Sequence, residues 1–357
     1  MITALEPDAL AAPSPAPVAG PIFLIGAKGS GTTLLRLILD SHEHIAVPRE
    51  TGFMRAYTAH QFIPFWWSGR DWAKRLGWTR EELDAELRAF YDRIFMRYAE
   101  RSGKRRWGEK TPLHTWHVDD MARLFPDAVF VGIVRHPGGS VASNLGRWER
   151  VPLGQAVSHY KRQTRELIRQ AARHPERFAV LRYEDLVARP EPVLRELLAW
   201  LGEPWSPSVL EHAAVQGRRG GELDVEGRNR ADDPIDPGRA SRWTRTIDAS
   251  TRRQLERRLG RLGAFFGYSF DAPEALAPLA GGFLLGGAGI EARIDAFPEL
   301  DLRRAGPKPL ADRRLHPRRV LPRPAGRPAP QSVGSRIWQR LPERARRRVR
   351  PLGGRAA

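Results

Sequence analysis

An eight-residue loop constrains this chain more than any other feature. Gly26-Ala-Lys-Gly-Ser-Gly-Thr-Thr33 lies between the short apolar run Pro21–Gly26 and the segment Thr32–Ser41, where Leu34, Leu35, Ile38 and Leu39 recur at helical spacing. Read locally, the unit is a buried strand, a glycine-rich turn and a helix. Successive backbone N–H groups in such a turn form a concave anion site, and the positive end of the helix adds to it. The hydroxyls of Thr32 and Thr33 supply further donors where a phosphate would lie. Gly26 and Gly31 have the spacing of the G-x-x-x-x-G-K-[ST] loop of ATP-binding proteins, but the lysine position holds Thr32. ATP chemistry needs that lysine on the β- and γ-phosphates, so the loop favours a phosphate ligand of another kind.

The rest of the chain repeats the pattern of strand and helix. Ile45–Val47 reads as a second short strand, and Thr79-Arg-Glu-Glu82 as a capping box opening a helix that runs to about Arg101. Thr115–Phe125 reads as a helix and Ala128–Val134 as a β-branched buried strand. Helices are expected over Gly139–Arg147, Leu153–Arg173, Leu194–Leu201 and Ser250–Leu262, with a strand over Phe178–Tyr183. Strands separated by helices require crossover connections, hence a mostly parallel sheet with helices on both faces.

The formal charge of +18 suggests a nucleic-acid partner until it is located. Residues 301–357 hold 17 Lys or Arg against 3 Asp or Glu, so the other 300 residues are close to neutral. The expected organisation is a flexible leader (1–20), a main domain (21–270), an extension of uncertain order (271–300) and a Pro/Arg-rich disordered tail (301–357). A short basic helix is possible over Ser335–Arg348. The tail suits weak contact with an anionic membrane surface, and no specific nucleic-acid partner is expected. With no cysteine, thiol chemistry and thiolate metal sites are excluded, and a cytoplasmic location is the natural expectation. The leader lacks a basic and apolar signal pattern. The longest uncharged run, Ala275–Ile290, is shorter than the roughly 20 residues of a membrane span.

A second anion station follows the strand ending at Val134. Arg135-His-Pro-Gly-Gly-Ser-Val-Ala-Ser143 puts a guanidinium at a strand end and a serine hydroxyl eight residues later on the next helix. The planar fork of the arginine suits a phosphate. With this second motif in place, the sequence resembles the PAPS-dependent sulfotransferases (PAPS being 3′-phosphoadenosine 5′-phosphosulfate), in particular their bacterial and tyrosylprotein-like branches. The resemblance is carried by Ile25–Thr33, Leu34-Leu35-Arg36, Asp40-Ser41-His42, Pro48-Arg-Glu-Thr51, Glu109-Lys-Thr-Pro112, the Arg135 and Ser143 pair, and Leu181-Arg-Tyr-Glu-Asp-Leu-Val187. It spans roughly residues 20–270.

The resemblance implies a P-loop NTPase-like α/β fold and transfer of a sulfuryl group from PAPS to a hydroxyl or amine, with PAP released and no metal. Gly29, Ser30, Gly31, Thr32 and Thr33 are implied at the 5′-phosphosulfate, and Arg135 and Ser143 at the 3′-phosphate. Tyr183 is counted with the nucleotide site. Ser241-Arg-Trp-Thr-Arg245 corresponds to a late basic loop, with Arg239 or Arg242 near the 3′-phosphate. Glu50 stands where the family has a carboxylate base, and Lys110 where it has a lysine on the transferring group. In one departure, many relatives carry Lys or Arg just before Ser-Gly-Thr-Thr, where this chain has Gly29, with Lys28 one residue earlier. Either Lys28 reaches the same place or Lys110 carries the task.

His114 and His117 are rival bases. Phe62, Phe65, Trp66, Trp67, Trp72 and Trp78 form an aromatic cluster suited to an acceptor pocket or a lid. The acceptor is expected to be a small molecule, a glycan or a lipid-linked group, and nothing in the sequence separates these from a peptide. The competing function is a kinase-like protein using ATP.

Overall fold

In the computed structural model, β1 (Ile22–Gly26) runs into α1 (Thr32–Asp40) through the glycine-rich loop. The structure describes residues 20–60, 77–147, 151–218, 233–276, 279 and 282–303. After α1 come β2 (Ile45–Ala46), α2 (Phe53–His60), α3 (Arg80–Arg101) and β3 (Arg106–Lys110). A 3-10 turn over Pro112–His117 leads to α4 (Val118–Leu124), β4 (Val129–Val134) and α5 (Pro137–Arg147). Then follow α6 (Leu153–Arg173), β5 (Phe178–Arg182), α7 (Tyr183–Ala188), α8 (Pro190–Trp200) and α9 (His212–Arg218). The chain continues with α10 (Trp243–Thr246), α11 (Ala249–Ala264), β6 (Leu284–Gly286) and α12 (Gly287–Ala296).

The sheet order is β2-β3-β1-β4-β5-β6, parallel except for the antiparallel edge strand β6. The strand bearing the loop is therefore central, and its carboxyl end opens between β3 and β4. In an open parallel sheet of this kind ligands sit at the carboxyl ends of the strands. Both faces of the sheet are covered. Phe23, Ile25, Phe130, Phe178 and Val180 pack on α6, α11 and α12, while Ile22, Leu24, Val131, Ile133 and Leu181 pack beneath α7 and α8. Burial on both sides explains why β1 and β4 read as unbroken apolar runs instead of alternating ones.

The capping box at Thr79 forms as its sequence predicts. Glu82 N–H donates to Thr79 Oγ1 at 3.2 Å, and Thr79 N–H donates to Glu82 Oε2 at 2.7 Å. The expected single helix Thr115–Phe125 divides instead at His117, whose φ of −120° interrupts it between the 3-10 turn and α4. The parallel-sheet architecture expected from the sequence is the observed one.

The segment expected to be an extension of uncertain order belongs to this fold. Leu284, Leu285, Ile290, Ile294, Leu300 and Leu302 are all buried, and Arg293 donates to the Phe265 carbonyl at 2.8 Å. Each fully buried aliphatic side chain contributes about 1.5–3 kcal/mol, so the edge strand and α12 hold firmly. A three-residue strand ending in glycine is too short to show a period, which is why the pattern does not announce it. The leader, the tail beyond residue 303 and the aromatic cluster apart from Trp78 lie outside the described residues. Among the described residues no helix is long and apolar enough to cross a membrane.

Candidate active site

The glycine-rich loop bends where its glycines allow. Gly29 has a φ of 82° and Gly31 one of 105°, both in the left-handed region that disfavours other residues. Space forbids a side chain as well. A Cβ on Gly31 would lie 2.4 Å from the Tyr183 ring, and one on Gly29 would lie 2.6 Å from the Ser140 carbonyl oxygen. Helix α5 clamps the loop from that side, since Ser140 Oγ and Asn144 Nδ2 donate to the Lys28 carbonyl at 2.9 and 2.7 Å. The Lys28 N–H donates to Gln163 Oε1 at 3.1 Å. The start of α1, whose first N–H groups have no partner within the helix, faces a cleft of about 800 Å³ lined by Lys28, Gly29, Gly31, Thr32 and Thr33.

Ser30 departs from expectation. Its side chain is fully buried, its N–H donates to the Ala27 carbonyl at 3.0 Å, and it does not line the cleft. A Cβ on Gly26 would lie 2.7 Å from Ser30 Oγ, which places that hydroxyl under the loop. Ser30 Oγ thus lies beneath the loop without a hydrogen-bond partner among the described residues, outside the cleft lining. The same geometry explains the missing basic residue: with Gly29 pressed on α5, no Lys or Arg fits there without displacing the Ser140 backbone.

Across the cleft stand Arg135, Ser143, Tyr183, Arg239 and Arg242. The Arg135 guanidinium lies 4.2 Å above the Tyr183 ring, a cation–π arrangement. It donates to the Arg239 carbonyl at 2.7 Å and, at 3.4 Å, to that of Gly29, tying the late loop to the glycine-rich loop. Burial raises the Tyr183 phenol above its ordinary value against the opposing charges of Arg135 and Arg239. Arg239 pairs with Asp233 and lies 3.5 Å from Asp236, and Arg242 lies 3.7 Å from Asp236. An incoming anion competes with these carboxylates. Trp243 stacks on His136 at 4.4 Å and rests on Gly138, where a Cβ would meet its ring at 2.5 Å, so the late loop is pinned to the start of α5.

Between the loop and β3 lies an ion pair. Lys110 Nζ donates to Glu50 Oε1 at 2.5 Å and to Thr33 Oγ1 at 3.4 Å. Lys110 is 3% exposed and sits behind the wall, whereas the Glu50 side chain is 52% exposed and faces the cleft. Burial lowers the lysine pKa, with the Glu50 carboxylate the largest opposing influence. His114 is buried against Glu109, with Nδ1 2.7 Å from Oε2 in an ion-pair contact that falls short of hydrogen-bond geometry. His117 lies 3.8 Å from Asp120. Neither histidine is among the residues lining the cleft. Trp78 is 43% exposed and also lies outside the lining.

Sequence reasoning missed Ser140, Asn144, Gln163, and the apolar wall of Leu34 and Leu37. The i, i+4 pair Ser140 and Asn144, one turn past Arg135, was the available signal. Elsewhere, His42, His44 and Glu203 bring ligand-type atoms within 4.8 Å of one another. Their lone pairs are already committed. His42 Nε2 meets the Pro204 carbonyl at 2.9 Å, its Nδ1 accepts from His44 N–H, and Glu203 pairs with Arg105 and Arg106. That cluster is a structural joint outside the cleft.

Residues 21–207 match the model of the family described as "Sulfotransferase family". The chain belongs to the sulfotransferase family. Among its curated relatives, protein-tyrosine sulfotransferase 1 of Danio rerio is 28% identical over 248 residues, covering 66% of this sulfotransferase and 68% of the relative. The Homo sapiens protein of the same name is 30% identical over 246 residues, covering 63% and 64%. The sulfotransferase thus spans about two thirds of the length of these relatives. A solved sulfotransferase domain from the curacin biosynthetic pathway is similar at 20% identity and a TM-score of 0.46, covering 69% of this chain and 99% of that one.

Proposed function

We propose that the protein transfers the sulfuryl group of PAPS to a hydroxyl, and that the tyrosine of a peptide or protein is the acceptor class of choice. The observation that carries this reading is the Glu50–Lys110 pair at 2.5 Å, set beside Thr33 at the mouth of an anion loop that lacks the ATP-type lysine. The loop amides and the Thr32 and Thr33 hydroxyls hold the 5′-phosphosulfate. Arg135 and Ser143, with Arg239 and Arg242 from the late loop, hold the 3′-phosphate.

The acceptor oxygen attacks sulfur in line with the oxygen bridging to the 5′-phosphate. The new S–O bond forms as the bridging bond breaks, and PAP leaves. Glu50, exposed on the cleft side, takes the acceptor proton. Lys110 and Lys28 place positive charge where the bridging oxygen and sulfuryl oxygens gain negative charge. Lys110 works through its contact with Thr33, and Lys28 from the cleft wall. The names of the matched relatives favour tyrosine among possible hydroxyl acceptors. Small phenols, glycans, lipid-linked groups and amines form the other arms of the same assay.

The test is incubation with PAPS and a tyrosine-containing peptide, following PAP release and the mass increment of one sulfuryl group. Transfer that requires PAPS and fails in Glu50→Gln supports the reading. Absence of product with every acceptor class, together with absence of PAP binding by folded protein, overturns it.

A further inference from the structure

Strand β3 ends with two adjacent charged residues that share one job. Lys110 holds the Glu50 carboxylate. Its neighbour Glu109, only 1% exposed, accepts the next residue of the same segment twice over. The Thr51 N–H and the Thr51 hydroxyl donate to Glu109 Oε1 at 3.2 and 2.9 Å, and the Thr111 hydroxyl donates to it at 2.7 Å. That same Thr111 oxygen accepts the Gly52 N–H at 3.2 Å, and His114 Nδ1 lies 2.7 Å from Oε2. Every one of these partners belongs either to the segment that follows Glu50 or to the turn that follows Lys110. Gly52 has a φ of 60°, and a Cβ there would meet no atom within 4 Å, so hydrogen bonds and not packing hold it.

We propose that Glu109 is a positioning residue that fixes the Thr51–Gly52 segment, so that Glu50 faces both Lys110 and the cleft. This rests on the transfer chemistry proposed above. The buried carboxylate is held ionised: burial would raise its pKa, but the adjacent His114 and the hydrogen bonds from Thr111 and Thr51 outweigh burial and lower it. The charged groups acting on Lys110 are Glu50 from the segment after β2, Arg36 from α1 and Glu109 from β3 itself. Glu50 and Glu109 favour the ammonium, while burial and Arg36 oppose it. Removing the Glu109 charge therefore lowers the Lys110 pKa further, and the alkaline limb of the rate profile moves to lower pH.

Two variants separate position from charge. Thr51→Val, at an exposed site, removes the hydroxyl's hydrogen bond to Glu109 and its acceptance of the Phe53 N–H, and leaves every charge in place. It is expected to lower kcat roughly 10- to 100-fold, the cost of misplacing a reacting group by about an ångström, with no movement of the pH limb. Glu109→Gln keeps an accepting oxygen for Thr51 and Thr111 but loses the charge, and is expected to move the alkaline limb downward. Both should bind PAP within about twofold of the parent protein, because no Glu109 contact reaches the nucleotide loop. Amide hydrogen exchange of the full chain, without substrate, should show faster exchange at Thr51 and Gly52 in Thr51→Val. Wild-type kcat and pH profile in both variants would overturn the inference. Unchanged exchange at Thr51 and Gly52 would overturn it independently of any turnover. A parent protein that binds no PAP and transfers nothing would instead overturn the proposed function, leaving the exchange result to decide the role of Glu109.

Discussion

Replacing Arg135 by lysine keeps the charge and removes the shape. The structure holds this guanidinium over the Tyr183 ring, its Cζ 4.2 Å from the centroid, with one nitrogen donating to the Arg239 carbonyl at 2.7 Å. It is therefore aimed before any nucleotide arrives, and little side-chain freedom remains to be lost on binding. A lysine can neither stack as a plane nor offer a two-pronged fork. Losing one charged hydrogen-bonded contact costs about 1.5–3 kcal/mol, equivalent to a roughly 10- to 150-fold weaker PAP Kd. The late loop also loses its tie to the glycine-rich loop, which places Arg135→Lys nearly as low as Arg135→Ala. Isothermal titration with PAP reads the affinity, and thermal melting confirms that both variants fold. If Arg135→Lys binds PAP within about twofold of the parent while Arg135→Ala does not, charge alone suffices and the argument from stacking and fork geometry is refuted.

Gly29→Ala combines left-handed backbone strain with a Cβ 2.6 Å from the Ser140 carbonyl. It is expected to cost about 1–3 kcal/mol, read by chemical denaturation, together with weakened PAP binding; a neutral result would mean that α5 yields easily. Glu50→Gln and Lys110→Met should each suppress transfer in a single-turnover assay while leaving PAP affinity little changed, and full turnover in either would remove that residue from the chemistry. In the parent enzyme, turnover should fail on the alkaline side below the ordinary lysine range, because burial lowers the Lys110 pKa. His136, buried beside Trp243, has its pKa lowered to about 4. Its Nδ1 accepts the Gly138 N–H, which only the unprotonated ring can do. The unfolded chain takes up this proton near pH 6.5 and the folded one only near pH 4, so stability falls as pH drops through that window, by about 3 kcal/mol in all. A His136→Gln variant should show a shallower acid slope in thermal melting, and an unchanged slope would refute the assignment.

The sheet and the anion loop were legible because long apolar runs and a glycine-rich turn are local signals. Two-sided burial of β1 and β4 writes itself as unbroken hydrophobicity, and φ values of 82° and 105° write themselves as Gly29 and Gly31. The capping box at Thr79 was legible for the same reason. What failed to show was whatever depends on distant partners. Ser30 looks like a ligand in the motif, yet the turn spends its N–H on Ala27 and buries its hydroxyl. His114 looks like a base in the sequence, but the fold buries it against Glu109 and away from the cleft lining. Strand β6 is three residues long and gains its meaning only from pairing with β5. Glu109 itself reads as a generic acid beside a lysine; only the fold reveals that its bonds run to Thr51 and Thr111.

The central claim is that the cleft binds a 3′,5′-bisphosphorylated adenosine rather than a nucleoside triphosphate. Calorimetric titration of the purified full chain with PAP and with ATP, both without magnesium, tests it most directly. Micromolar or tighter PAP binding with negligible ATP binding is the expected result. Folded protein that ignores PAP, or that prefers ATP once magnesium is added, would contradict it.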